Sequence, residues 1–168
     1  MTELTIGQYE IVYNFFSFTI AAMGAATAFL WLNRSQVAEH YRPAVTISGL
    51  VTLIAFYHYI RIFDSWEKAY EVVDGTITAT GYAFNSAYRY VDWLLTVPLL
   101  LIELILVMRL SSRETLAKGF RLGALAAVMI ILGYPGEVSS DAGTRWLWWS
   151  LSMIPFLWIV FELFVGLK

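Results

Sequence analysis

The stretch Arg89-Tyr90-Val91-Asp92-Trp93-Leu94-Leu95-Thr96-Val97-Pro98-Leu99-Leu100-Leu101-Ile102-Glu103 is an apolar run carrying one arginine and two carboxylates. Arg89, Asp92, Thr96, Leu100 and Glu103 follow one another at intervals of three, four, four and three residues, so at about 100° per residue all five share one helix face. At roughly 1.5 Å per residue, Asp92 and Glu103 stand about 16 Å apart along that axis, half the thickness of a bilayer core. Ionisable groups in such a run are costly, and they mark either ion pairing or function.

Composition sets the environment of this face. Hydrophobic residues make up 59% of the 168 residues, charged residues only 14%, and the mean hydropathy is +0.64. That balance excludes an ordinary soluble domain and implies an integral membrane protein. There is no Cys, so disulfides, thiol catalysis and cysteine metal sites are excluded, and two histidines do not make a metal cluster. No phosphate loop, nucleophile triad, metal motif or basic nucleic-acid patch is present, which leaves a conventional enzyme as the weakest reading. Residues 1–10 carry two Glu and no Lys or Arg, the wrong charge for the start of a signal peptide. The first apolar segment is therefore expected to remain as a span.

Five segments are long enough for a bilayer, near 9–32, 44–63, 85–108, 118–135 and 145–167. They are apolar nearly all round, unlike the amphipathic helices of a soluble bundle. The expected fold is a single all-α transmembrane domain over 1–168, a five-span helix bundle. Between the second and third spans, Tyr70-Glu71-Val72-Val73-Asp74-Gly75-Thr76-Ile77-Thr78 sets β-branched residues on both sides of Asp-Gly, the signal for a hairpin with a type I′ turn. A plain disordered loop is the competing reading of this connection.

Lys and Arg set the orientation. The first connection holds Arg34 and Arg42 and the third Arg109, Arg113, Lys118 and Arg121, against Lys68 and Arg61 in the second and Arg145 in the fourth. The first and third loops are thus expected inside the cell, the N-terminus outside, and Lys168 inside. Arg89 and Asp92 then occupy the outer half of the third span and Glu103 the cytoplasmic half.

A buried aspartate pairs with a cation or takes a proton. Arg89, one turn away, is the obvious partner for Asp92. Glu103 has no basic residue within a turn on its outer side, and a protonated resting state follows for it. Two carboxylates held in opposite protonation states are what an acid and a base need. The alternative is a structural ion pair at Asp92 and a Glu103 that snorkels to the interface.

The quoted run resembles the third helix of the microbial rhodopsins, and its Asp, Thr and Glu pattern is similar to that of the proteorhodopsin and xanthorhodopsin proton pumps. The resemblance implies a bacteriorhodopsin-like bundle of which this chain carries helices A–E, in a cell membrane, acting as a light-driven outward proton pump with all-trans-retinal. It implies that Asp92 is the counterion of the retinal Schiff base and the proton acceptor, Glu103 the cytoplasmic donor, Thr96 a support for Asp92 and Arg89 the exit gate. Phe56-Tyr57-His58-Tyr59 is similar to the family motif in which a histidine bonds the acceptor, which would make His58 the partner of Asp92; read alone, His58 is a hydrogen-bonded core residue. Tyr59, Trp93, Met129, Gly133, Trp149, Ser152 and Phe156 match chromophore-lining positions, although aromatics at helical spacing are also ordinary core. Leu100 stands where green-absorbing members carry Leu. Trp149 stands where carotenoid-binding relatives carry Gly, so a carotenoid antenna is not expected.

The family has seven spans with the retinal-binding lysine in the seventh, whereas Lys68, Lys118 and Lys168 lie in loops or at an end. Helices F and G are expected on a separate piece or in a remainder of a longer chain. A five-span relative that has lost its chromophore, a retinal-free scaffold, is the alternative, as is a photosensor within the family. Expected partners are lipid and, by resemblance, further copies in a ring such as a pentamer.

Overall fold

The computed structural model describes residues 4–166. Leu167, the expected end of the fifth span, and Lys168 lie outside the described residues. Five helices are present, α1 (Ile6–Leu32), α2 (Arg42–Ala69), α3 (Ala87–Val107), α4 (Ser112–Val138) and α5 (Ala142–Phe164), with a two-stranded hairpin, β1 (Tyr70–Val73) and β2 (Thr76–Ala79), between α2 and α3. All five helices are long and apolar enough to cross a membrane.

The helices start where side chains satisfy their free N–H groups. Thr5 and Gln8 form a reciprocal capping box on α1, and Ser111 and Glu114 form another on α4. The second box corrects the expected start of the fourth span: α4 begins at Ser112, six residues before 118, so Arg113, Lys118 and Arg121 are helical and not in the loop. Pro43 opens α2, where its missing N–H is no loss, and α2 runs to Ala69, six residues past the expected 63. At α5, the Asp141 carboxylate accepts the Thr144 backbone N–H at 2.6 Å, which starts the helix at Ala142 and not at 145.

The hairpin forms as its sequence predicts. Val73 pairs with Thr76 across Asp74 and Gly75, whose φ angles of 49° and 77° are both positive, as a type I′ turn requires. Ile77 is buried, and Tyr70 packs on Trp66, which in turn stacks on Tyr9 of α1. The aromatic cluster ties the hairpin to the ends of α1 and α2.

Each helix packs mainly on its neighbours in sequence, α1 on α2, α2 on α3, α3 on α4 and α4 on α5, in an open row. Small residues set the close approaches, as expected where lipid offers no hydrophobic drive between helices. Gly119 and Gly123, one turn apart on α4, face Ile102 and Pro98 of α3; a Cβ on Gly123 would stand 3.7 Å from both. The central core is Ile105, Leu122, Ala126 and Ile159, with Met129 packed against it.

At Gly49 the approach is tighter. A Cβ there would overlap Nε1 of Trp31, whose indole N–H donates to the Thr46 carbonyl. Gly49→Ala is expected to displace the indole and cost about 1–3 kcal/mol, read as a lowered Tm together with a change in Trp fluorescence. A second expectation concerns Asp141, whose carboxyl is held below the ordinary carboxylate range, first by the Thr144 N–H. A depressed folded-state pKa stabilises above the unfolded value and is lost as pH falls through the folded one. Below about pH 4 the protein should therefore lose Tm faster than Asp141→Asn, whose cap does not titrate.

Candidate functional site

The charged face of α3 turns toward α2 and α4. Asp92 and Thr96 are 7% and 4% exposed, and His58 of α2 is 7% exposed. His58 Nδ1 lies 3.0 Å from the Ile54 carbonyl oxygen and 3.5 Å from Asp92 Oδ1. The shorter contact is the hydrogen bond, and Asp92 Oδ1 is left buried without a hydrogen-bond partner. A desolvated carboxylate oxygen with no donor is a strong demand for a further group. Thr96 Oγ1 donates to the Asp92 main-chain oxygen at 2.8 Å, one turn back, so it braces the backbone and not the carboxylate.

Arg89 does not pair with Asp92. One guanidinium nitrogen, Nη2, donates to Glu137 Oε1 on α4 at 2.8 Å, while its Nε is buried without a partner. The long side chain reaches across to the end of α4, a choice that spacing along α3 could not reveal. Glu103 is half-buried, and Ser48 Oγ of α2 lies 2.6 Å from its Oε1 and 3.1 Å from the Ala44 carbonyl oxygen. Nearer the same end, Arg121 pairs with the buried Glu162 of α5, and Lys118 donates to the Gly166 carbonyl oxygen at 2.7 Å.

A cavity of about 590 Å³ opens between α3, α4 and α5, lined among others by Tyr90, Gly133, Glu137, Trp149 and Ser152. It brings together Gly133, Trp149 and Ser152 of the expected lining. A Cβ on Gly133 would stand 3.5 Å from Tyr90, so glycine there keeps room beside that ring. Met129 belongs to the core instead, and Tyr59 is half-buried on α2. Trp93, Leu100 and Phe156 are 41%, 47% and 41% exposed and do not line the cavity. Four residues escaped the sequence reading. Glu137 and Glu162 carried a signal, a lone carboxylate in an apolar segment, while Ser48 and Tyr90 carried none.

Five apolar helices around a buried, incompletely bonded carboxylate and a cavity of ligand size define a multi-span membrane protein with an intramembrane ionisable site. Comparison with known proteins narrows the class. A family model described as bacteriorhodopsin-like protein matches residues 11–168, and the chain belongs to that family, the microbial rhodopsins. It is 33% identical over 148 residues to the green-light absorbing proteorhodopsin of gamma-proteobacterium EBAC31A08, covering 87% of this chain and 53% of that one. Bacteriorhodopsin of Halobacterium salinarum is 30% identical over 149 residues, again covering 87% of this chain and 53% of the relative. The chain thus spans about half the length of the curated relatives it matches. Among solved structures, xanthorhodopsin, described as a light-driven ion pump with dual chromophore, superposes with TM-score 0.95 at 54% identity, over 99% of this chain and 68% of that one. A thermophilic rhodopsin gives 0.94 at 50% identity, over 98% and 66%.

The Arg89–Glu137 pair is part-exposed on both sides, at 42% and 35% of side-chain area. A double-mutant cycle with Arg89→Gln and Glu137→Gln is expected to give a coupling of about 0.2–1 kcal/mol in thermal unfolding.

Proposed function

We propose that this chain forms the first five helices of a light-driven proton pump that uses retinal and moves protons outward. The observation that carries the reading is the buried Asp92 carboxylate, beside His58 and with Oδ1 lacking a donor. The residues fit such a chromophore: an orphaned acceptor at Asp92 and the Gly133, Trp149 and Ser152 cavity answer its polar and apolar ends. Retinal, bound through a lysine outside these residues, supplies light absorption and a proton whose acidity changes on isomerisation. Lys68 and Lys118 do not serve, being engaged with Asp64 and Gly166.

The chain's own residues supply direction. Asp92 Oδ1 accepts the outgoing proton, and His58 flanks it at 3.5 Å while its own hydrogen bond stays on the Ile54 carbonyl. Arg89, drawn to Glu137, keeps a positive charge on the outer path and favours departure of the proton. Glu103 returns a proton from the other side. The Ser48 hydroxyl, within reach of both Glu103 Oε1 and the Ala44 carbonyl, ties this carboxyl group to α2. The Lys and Arg distribution supports an extracellular N-terminus and an outward cycle. Helices F and G and further copies of the protein are the proposed partners. A second chromophore is not proposed, because the Trp149 indole fills the position that small residues leave open.

Asp92→Asn in the seven-helix protein should abolish light-driven acidification outside the cell or vesicle, with a visible band retained. Glu103→Gln should leave the first transfer intact and slow turnover by about a hundredfold or more, as loss of a proton-transfer group does. Normal acidification by Asp92→Asn, measured with a pH electrode under illumination, would overturn the role given to Asp92.

A further inference from the structure

A second cavity lies between α3 and α4. On the helical wheel Ile102 points roughly opposite to Trp93 and Leu100, whereas Leu106 lies only about 40° from Asp92, so this groove opens beside the Asp92 face along the seam of α3 and α4. Its volume is about 1000 Å³, and its walls are Ile102 and Leu106 of α3 with Leu116, Gly119 and Phe120 of α4. Leu116 and Phe120 are 76% and 77% exposed, which leaves the trough unroofed. One end is polar, formed by Arg109, His40 and Ser112.

Arg109 is held in an unusual way. Its backbone is left-handed, with φ of 55°, at the sharp turn between α3 and α4. Its guanidinium lies over the Tyr41 ring, 4.8 Å from the centroid, and bonds His40 Nε2. No carboxylate among the described residues lies within 4.0 Å of it. The two acids on the flanking segments are otherwise engaged, Glu39 with Arg42 and Glu114 with the backbone N–H and hydroxyl of Ser111. A positioned, uncompensated guanidinium thus stands at one end of an exposed apolar trough on two spanning helices.

We propose that this groove binds an anionic phospholipid, its phosphate on Arg109 and His40 and one acyl chain along Ile102, Leu106 and Phe120. The chemistry argues for this occupant. A zwitterionic lipid would fill the trough but bring a cation of its own beside the guanidinium, and a free anion would answer the charge but leave the trough unfilled.

The test is lipid retention by the protein extracted from membranes of mixed phosphatidylglycerol and phosphatidylcholine, washed with detergent and read by native mass spectrometry. Phosphatidylglycerol should be retained in preference to phosphatidylcholine. Arg109→Gln should lower that retention about fivefold, the share of one basic residue at a membrane surface, while Arg109→Lys keeps most of it. Arg113→Gln, outside the groove, should change nothing. If Arg109→Gln loses helical circular dichroism, His40→Gln carries the same comparison. Equal retention of the two lipids, or indifference to both substitutions, would sink the proposal. So would stabilisation of delipidated protein by inorganic phosphate equal to that by phosphatidylglycerol, which would make the site one for a free anion. A dimer that forms only when lipid is stripped and that buries Phe120 would assign the groove to a second copy.

Discussion

Asp92 is a carboxylate taken out of water and set among helices, where an unpaired charge costs about 3 kcal/mol or more. The surrounding structure is arranged about that cost. His58 approaches it from α2 but spends its closer contact on the Ile54 carbonyl, and Thr96 bonds the main chain, so the carboxylate is confined without being satisfied. A fully bonded aspartate would be a strut. One with an oxygen in reserve is able to take and release a proton.

The packing that confines Asp92 is made of small residues as much as of large side chains. Gly119 and Gly123 let α4 close on α3 at Pro98 and Ile102, and Gly49 lets α2 close on Trp31 of α1. Pro98, Pro135 and Pro155 each remove an intrahelical donor from a different helix, which leaves carbonyls free at depth in the bundle. The approach of α4 to α3 goes with Glu137 within reach of Arg89, and α2 in turn sets Ser48 beside Glu103. Along the seam of α3 and α4, the Tyr90–Trp149 cavity opens toward one end and an apolar groove ending in Arg109 toward the other.

Charge follows the same plan. Across the helices, Arg89 meets Glu137 near one membrane surface and Arg121 meets Glu162 near the other. Both pairs link α4 to a neighbour; Arg89–Glu137 is part-exposed on both sides, whereas Arg121 reaches a buried Glu162. Asp92, by contrast, has no cation from Arg or Lys within 4.0 Å among the described residues.

Much was legible in the sequence because it is local. Five apolar runs of bilayer length, the Asp74-Gly75 turn and the face shared by Arg89, Asp92, Thr96 and Glu103 follow from composition, positive φ and a 3.6-residue period, none of which needs a distant residue. Helix starts were read late at α4 and α5 because the capping side chains, Ser111 and Asp141, precede polar turns that hydropathy discounts. The partners were not legible. Whether Arg89 turns to Asp92, three residues away, or to Glu137, forty-eight residues away, depends on how α3 and α4 are rotated and how closely they approach, and that is set by glycines whose effect exists only once the helices meet. Ser48 beside Glu103, Met129 in the core and Arg109 at the head of a groove are likewise products of interhelical distance, which tertiary structure alone decides.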